Sequence, residues 1–411
     1  IQVGLIGVGQ MGTDILAQID QMQGMQTSVV IDIEVNRVVE ALNAAGCKAE
    51  IAVVKSVEEA HKAISEGKTA ISDNWHIATQ VPDVQAIIDS TGSPVIGTEI
   101  AVDCCEHKKH IIMMNVECDI TVGPILKKLA DKAGVIYSMG AGDEPAALME
   151  LYRFADSLGM EVVAAGKGKN NPLDVFSNPD ALAAKAKDRN MSPYMLCEFV
   201  DGSKTAIEMA SVSNATGLVP DVSGMHGPKA TRDTIHQVFC PKSEGGVLNN
   251  KGVVEYAIGV HPGVFLVVTT DNPRLREALI QRDMGNGPYY QLFRPYHLCS
   301  IEVPLSVAQV VIYGESSGHP GQKLVSECVA VAKRNLKAGE TLDGIGGFCY
   351  RVSIEKAEEA QSNKMVPAGL IKGAVLAKDV SQGTVIDYSM LESIPDNALS
   401  RMRKRMDEEN Q

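Results

Sequence analysis

Apolar and polar positions in the first third of the chain follow two alternating patterns. Short apolar runs read as buried strands: Val3-Gly4-Leu5-Ile6, Val29-Val30-Ile31, Ala70-Ile71, Ala86-Ile87-Ile88, Ile111-Ile112-Met113-Met114 and Val135-Ile136-Tyr137. Between them, stretches at 13–22, 36–45, 99–107 and 121–133 carry helical spacing, the last closed by Gly134. Strands alternating with helices predict a mostly parallel, doubly wound α/β sheet. Ligands of such sheets lie past the carboxyl ends of the strands, which here are 7–12, Asp32, Thr91-Gly92, 115–119 and 140–145.

The pattern changes near Ala147. A helix over 147–158 leads into a segment richer in Gly, Pro and Asn, which reads as an α+β domain. Residues 305–313 are expected to return and pack on the first domain. A linker follows at 315–321. Beyond it, 332–343 and 377–387 match with one gap, each reading as strand, tight turn at Gly339 or Gly383, then strand. That faint repeat predicts a small β-rich module with pseudo-symmetry. The expected domains are therefore 1–146, 147–314 and 322–395, with a polar terminus over 401–411 that frays.

Composition narrows the function classes. A 411-residue chain with 45% apolar and 22% charged residues has the make-up of a soluble globular protein. Its net charge of −13 argues against a nucleic-acid surface and against a basic membrane patch. No apolar run reaches the length of a membrane span. Nine cysteines without a Cys-x-x-Cys pair point to reduced thiols and a cytoplasmic setting. The chain opens on Ile1, inside its first strand, which leaves room for a preceding segment.

Gly7-Val8-Gly9-Gln10-Met11-Gly12 lies between the first strand and its helix, the setting of a dinucleotide-binding turn. Gly7 suits the tight turn, Gly9 the backbone approach to a pyrophosphate, and Gly12 close packing of helix on strand. Gln10 and Met11 then present helix N–H groups to the phosphates. Asp32, at the end of the second strand, is placed for a ribose hydroxyl, which favours NADH. Arg37 is placed to reach a 2′-phosphate, so NADPH stays open. Thr91, Gly92, Asn115 and Glu117 are the further expected cofactor contacts. Carboxylates in Asn115-Val116-Glu117-Cys118-Asp119 and Gly142-Asp143-Glu144-Pro145 suit a divalent cation such as Mg²⁺ or Mn²⁺, with no ligand set assigned.

Four further motifs suggest a substrate site. Gly166-Lys167-Gly168-Lys169-Asn170-Asn171-Pro172 follows a strand and reads as a cationic loop for phosphate or carboxylate. Asp201-Gly202-Ser203-Lys204-Thr205 follows an expected strand over 195–200. It reads as a helix start with Ser203 as N-cap, and so as a second anion site. Lys204 is a candidate proton donor, held by Asp201. Asn214, in the turn-rich run 214–221, and His226, in Gly224-Met225-His226-Gly227-Pro228, could meet substrate or move a proton. Arg294-Pro295-Tyr296-His297-Leu298 offers a planar fork, Arg294, beside the titratable His297.

Together these blocks resemble the homoserine-dehydrogenase-like oxidoreductases with a C-terminal SAF (antifreeze-like) domain. The members include the second, DXR-like type of 1-deoxy-D-xylulose 5-phosphate reductoisomerase. The resemblance implies a Rossmann domain, a homoserine-dehydrogenase-like catalytic and dimerisation domain, and an SAF module. It also implies an NAD(P)H-dependent homodimer acting on a small phosphorylated sugar or polyol carbonyl, with a divalent metal, in isoprenoid biosynthesis. Under it Lys167, Lys169, Asn170, Asn171, Ser203, Thr205, Asn214, Arg294 and His297 meet the substrate, and Lys204, His226 and Asp201 carry the chemistry. Homoserine dehydrogenase activity itself does not fit. The Asn-Lys of that enzyme is Asn115-Val116 here, and its Asp-Val-x-Gly-x-Asp ends on His226. Two other readings stay open: a dehydrogenase of a non-phosphorylated hydroxy or amino acid, and a non-catalytic NAD-sensing protein.

Overall fold

Seven short strands, six of them largely buried, make one all-parallel sheet covered by the helices that connect them. The computed structural model describes residues 1–410, which divide into two units. The first comprises Ile1–Ala146, Leu298–Gln322 and Asn397–Gln411. Its strands are β1 (Gln2–Ile6), β2 (Gln26–Ile31), β3 (Ile51–Val53), β4 (Thr69–Ser72), β5 (Ala86–Asp89), β6 (His110–Met113) and β7 (Tyr137–Met139). They lie in the order β3-β4-β2-β1-β5-β6-β7, so the winding direction reverses between β1 and β5. Such a switch point opens a crevice at the strand ends. The doubly wound expectation therefore holds. The short edge strand β3 was not foreseen, and its three residues are at most half-buried.

Val3, Leu5, Ile15, Leu16 and Ile19 form the centre of the first core, together with Val303, Val307 and Val310. Those three come from the helix Cys299–Ala308 and the wider turn Gln309–Tyr313 that continues it. The terminus is a further correction. Instead of fraying, Ala398–Glu409 is a helix with a capping box at Asn397 and Ser400, and it buries Leu399 and Met406. Arg403 donates to the Thr121 carbonyl.

The second unit comprises Ala147–His297 and Lys323–Asp396. Its sheet runs β12 (Tyr289–Arg294), β11 (Val264–Thr269), β8 (Glu161–Lys169), β10 (Val253–Ile258), β9 (Val219–Pro220), with β11 antiparallel to both neighbours. The helix Ser203–Thr216 packs against β8 and β10. The C-terminal part contributes a seven-pair hairpin of β13 (Ser326–Ala332) and β14 (Tyr350–Lys356), and a small pair of β15 (Val375–Leu376) and β16 (Leu391–Ser393). The repeat takes the form of two turns at Gly339 and Gly383, with φ of 81° and 82°, and the segments meet through reciprocal bonds between Leu336 and Val380. One expectation fails here: 195–200 is not a strand but part of the helix Pro193–Val200, started by Pro193 at its first position.

Candidate functional site

The nucleotide side is built by the β1 turn. Gly7 has φ of 95°, and a Cβ there would lie 2.7 Å from the Ser90 carbonyl oxygen. A Cβ at Gly12 would overlap the Gly7 carbonyl, so only glycine lets the helix Gln10–Gln21 sit this close to the strand end. Gly9 is the opposite case, because a Cβ there would meet nothing within 4 Å. Gly9 caps that helix without a side-chain hydrogen bond, and Gln10 and Met11 are exposed in its first turn. Unsatisfied N–H groups beside open space at the switch point suit a pyrophosphate.

Asp32 is buried at the end of β2, and its Oδ2 accepts from the Val8 N–H at 3.0 Å. Its Oδ1 lies 3.5 Å from the Arg37 guanidinium. At the end of β5, Asp89 accepts from the Thr91 N–H at 3.0 Å and shapes the turn in which Gly92 has φ of 64°. Complete burial pushes the Asp89 carboxyl up to about 6, against the pull of Thr91 and Asn115. Asn115 caps the helix Val116–Ala133 through its Oδ1 and directs its Nδ2 to Asp89 at 3.4 Å. Glu117 lies half-buried in the first turn of that helix.

The substrate side differs more from expectation. Lys167 and Lys169 are not in a loop past the strand. They are the buried last residues of β8, two apart and so on one face of the sheet. Lys167 pairs with the buried Glu208 of the helix Ser203–Thr216. Lys169 donates to the Phe199 carbonyl, and burial, reinforced by the nearby Lys167 charge, pulls its amine down to about 8. Register gives Lys167 its neighbours. Tyr256 on β10, Lys167, Val264 on β11 and Arg294 on β12 are directly paired, so they form one row on one face. Arg294 lies 3.5 Å from Glu150 and stacks on Tyr296 at 4.7 Å. Asn170 is exposed beyond the strand end, Asn171 accepts from Arg189 at 3.0 Å, and His297 is half-buried.

Other expected site residues are used elsewhere. Asp201 forms a fully buried ion pair with Lys333 at 2.6 Å, rather than holding Lys204. Ser203 is not the N-cap. Gly202, with φ of 89°, takes that place, and the Ser203 hydroxyl accepts from the Val352 N–H at 2.8 Å. Asn214 accepts from the Val325 and Ser326 N–H groups at 2.8 and 3.0 Å. These three side chains hold the C-terminal hairpin and the residue that follows it. Thr205 is buried inside the helix, and Lys204 is partly exposed in its first turn.

His226 is likewise removed from the lysine row. Its Nδ1 lies 2.6 Å from Glu255 and its Nε2 lies 3.7 Å from Asp221. Glu255 is paired with Gly166, one residue out of step with Tyr256 and Lys167, and so points to the opposite face of the sheet. Burial pushes the Glu255 carboxyl up, while the His226 ring and N–H pull it back. The pair orders the loop in which Gly224, Met225 and Gly227 all have positive φ. Tyr256 and Arg351 carried no motif, Glu208 and Lys333 lay in segments noted for other reasons, and only strand register or long-range pairing gives the four their places.

No curated protein sequence matches the chain. Among solved structures, the chain is similar to a probable dehydrogenase from Thermotoga maritima, at 12% identity over 77% of this chain and 90% of that one, with a TM-score of 0.41. It is also similar to a scyllo-inositol dehydrogenase from Lactobacillus casei with bound NAD(H) and scyllo-inositol, at 9% identity over 78% and 91%, with a TM-score of 0.43. A 3-ketoreductase from Actinomadura kijaniata in complex with NADP is similar at 12% identity over 77% and 90%, with a TM-score of 0.35. Likeness at this level says nothing of substrate. Among the described residues no helix is long and apolar enough to cross a membrane. Residues 142–303 match the family described as oxidoreductase DRL, catalytic domain, and residues 328–392 match the SAF domain, both after the seven-stranded parallel sheet in sequence.

Proposed function

We propose that the chain is an NAD(P)-dependent oxidoreductase of a small anionic carbonyl or hydroxy compound. Within that class we propose a phosphorylated sugar or polyol, with 1-deoxy-D-xylulose 5-phosphate reductoisomerase as the named candidate. The observation that carries the reading is the β1 turn, where two glycines have no room for a Cβ and the one between them faces open space. Gly7, Gly9, Gly12 and the first turn of the helix Gln10–Gln21 would hold the pyrophosphate, and Asp32 the adenosine ribose. The nicotinamide, when bound, supplies or accepts a hydride.

The protein residues have the remaining tasks. A buried amine near its midpoint at neutral to mildly alkaline pH suits proton transfer to a developing alkoxide, and Lys169 meets that description. Lys204, partly exposed in the first helical turn, is the alternative donor. Lys167 and Arg294 would orient the anionic end of the substrate from one row of the sheet. Asp32 carries a negative charge where a 2′-phosphate would approach, so NADH is the favoured form. Arg37 softens that preference through its contact with Asp32.

A second reading has its own support. Lys167 is already paired with Glu208, and Arg294 lies beside Glu150. A row partly neutralised in this way suits a singly charged carboxylate as well as a phosphate dianion, which fits a hydroxy-acid dehydrogenase. The deciding experiment titrates the protein with NADH and NADPH by fluorescence. It then follows nicotinamide oxidation with deoxyxylulose phosphate and Mg²⁺ or Mn²⁺, with 2-keto acids in parallel. Turnover lost in both Lys204→Ala and Lys169→Met refutes neither donor, whereas loss in one alone identifies it. Cofactor binding with no turnover of the sugar phosphate refutes the named candidate. Absence of cofactor binding refutes the whole reading.

A further inference from the structure

Arg351 is the second residue of β14, within the SAF match, and most of its surface is removed from water. Its Nη1 donates to the Val352 carbonyl at 3.4 Å, while its buried Nε has no hydrogen-bond partner. The charged and titratable groups around it are Asp201, Tyr256 and Glu355. Each carboxylate already has a partner: Asp201 has Lys333, and Glu355 accepts from the Ser223 hydroxyl. Tyr256 is the neighbour of Lys167 in the cross-strand row, and its ring packs so closely on Gly227 that no side chain fits there. Alternation along β14 places Arg351, Ser353 and Glu355 on one side of the strand. Ser353 and Glu355 are both against the Ser223-Gly224 turn. A guanidinium drawn out of water without a full set of acceptors is costly. Its planar fork matches the paired oxygens of a phosphate or carboxylate.

We infer that Arg351, with Tyr256 and Lys167, forms an oxyanion-binding pocket, so that the SAF module supplies a substrate-binding residue to the catalytic domain. This rests on the reading of the chain as an oxidoreductase of an anionic substrate, and it names the group that recognises the anion. Arg351 completes its donor set on the ligand oxygens, the Tyr256 hydroxyl donates to one of them, and Lys167 adds charge from the adjacent strand. Burial also pulls the Arg351 guanidinium below its ordinary value, and the neighbouring Asp201, Tyr256 and Glu355 offset this only in part.

The test uses the full-length protein with inorganic phosphate and, separately, acetate as probes. Binding is read by calorimetric titration and by the rise in thermal midpoint, with NADH affinity measured on the same samples. The expected result is saturable binding of at least one probe, weakened at least about tenfold in Arg351→Gln and partly restored in Arg351→Lys. NADH affinity should be unchanged in both variants. Response to phosphate identifies a phosphomonoester end, and response to acetate alone identifies a carboxylate end. If Arg351→Gln does not fold, Tyr256→Phe, which removes only a hydroxyl, must weaken the same probe. Equal probe affinity in wild type and Arg351→Gln, or no binding of either probe to wild type, overturns the inference. Failure to bind NADH together with an Arg351-dependent response to the probes would overturn the oxidoreductase reading and leave the anion pocket standing.

Discussion

Replacing Lys333 by methionine should destabilise the second unit more than any surface change, and the structure gives the size of the effect. Lys333 Nζ lies 2.6 Å from Asp201, 2.8 Å from the Gly347 carbonyl and 3.2 Å from the Cys197 sulfur. Lys333→Met leaves the Asp201 carboxylate fully buried, with the Ser203 N–H as its one strong remaining donor. Breaking a buried pair from one side costs about 3–5 kcal/mol, mostly the desolvation of the charge left behind. At about 2–4 °C per kcal/mol for a unit of this size, the thermal midpoint should fall by roughly 6–20 °C. The double variant Asp201→Asn with Lys333→Met removes both charges at nearly the same volume and should recover more than half of that loss. Differential scanning calorimetry on the three variants measures both quantities. A single-variant shift below about 2 °C, or a double variant worse than Lys333→Met, would refute the argument that an uncompensated charge dominates.

The nucleotide side gives three sharper tests. Gly9→Ala has open space and a φ of −63°, so its midpoint should match wild type while NADH affinity falls at least about tenfold. Gly12→Ala must displace the Gly7 carbonyl, so it should lower stability and cofactor affinity together. Asp32→Asn keeps an acceptor for the Val8 N–H but drops the charge, and should shift the NADPH-to-NADH affinity ratio about tenfold toward NADPH in fluorescence titrations. An unchanged ratio would disprove the role given to Asp32. Lys169 links activity and stability to pH. If it donates the proton, reduction should fall as pH rises through about 8, and Lys169→Met should abolish that limb of the profile. Its folded pKa lies below the ordinary 10.5, so between those values the unfolded chain binds more protons. The Lys169 contribution to stability should therefore rise with pH from about 8 toward 10.5, by equilibrium denaturation.

The legible parts of the chain were those set by near neighbours. The parallel sheet follows from buried apolar runs of two to four residues separated by helical spacing, and the β1 turn from glycines at fixed offsets. The error at 195–200 has the same origin, because a short apolar run fits a buried strand and a buried helix equally until Pro193 is read as a helix start. The candidate site was less legible because its contacts span the chain. Ser203 and Val352 are 149 positions apart, and Asn214 and Ser326 are 112 apart. Polar residues at a helix start look the same in sequence whether they meet a ligand or a β-hairpin. The Tyr256–Lys167–Arg294 row depends on the register of four strands, and Tyr256 and Arg351 lie in ordinary strand sequence that announces nothing.

Val303, Val307 and Val310 share the first core with Val3, Leu5 and Ile15. That arrangement has a consequence for biogenesis. A nascent chain that has completed β7 still lacks the apolar cover supplied by residues 299–313, which emerge more than 150 positions later. At roughly 5–20 residues per second, translation leaves that surface uncovered for on the order of 10–30 s. During this interval the ribosome-bound sheet presents apolar surface to water, and a chaperone can bind it there. Assembly of the first unit therefore waits on translation of most of the second.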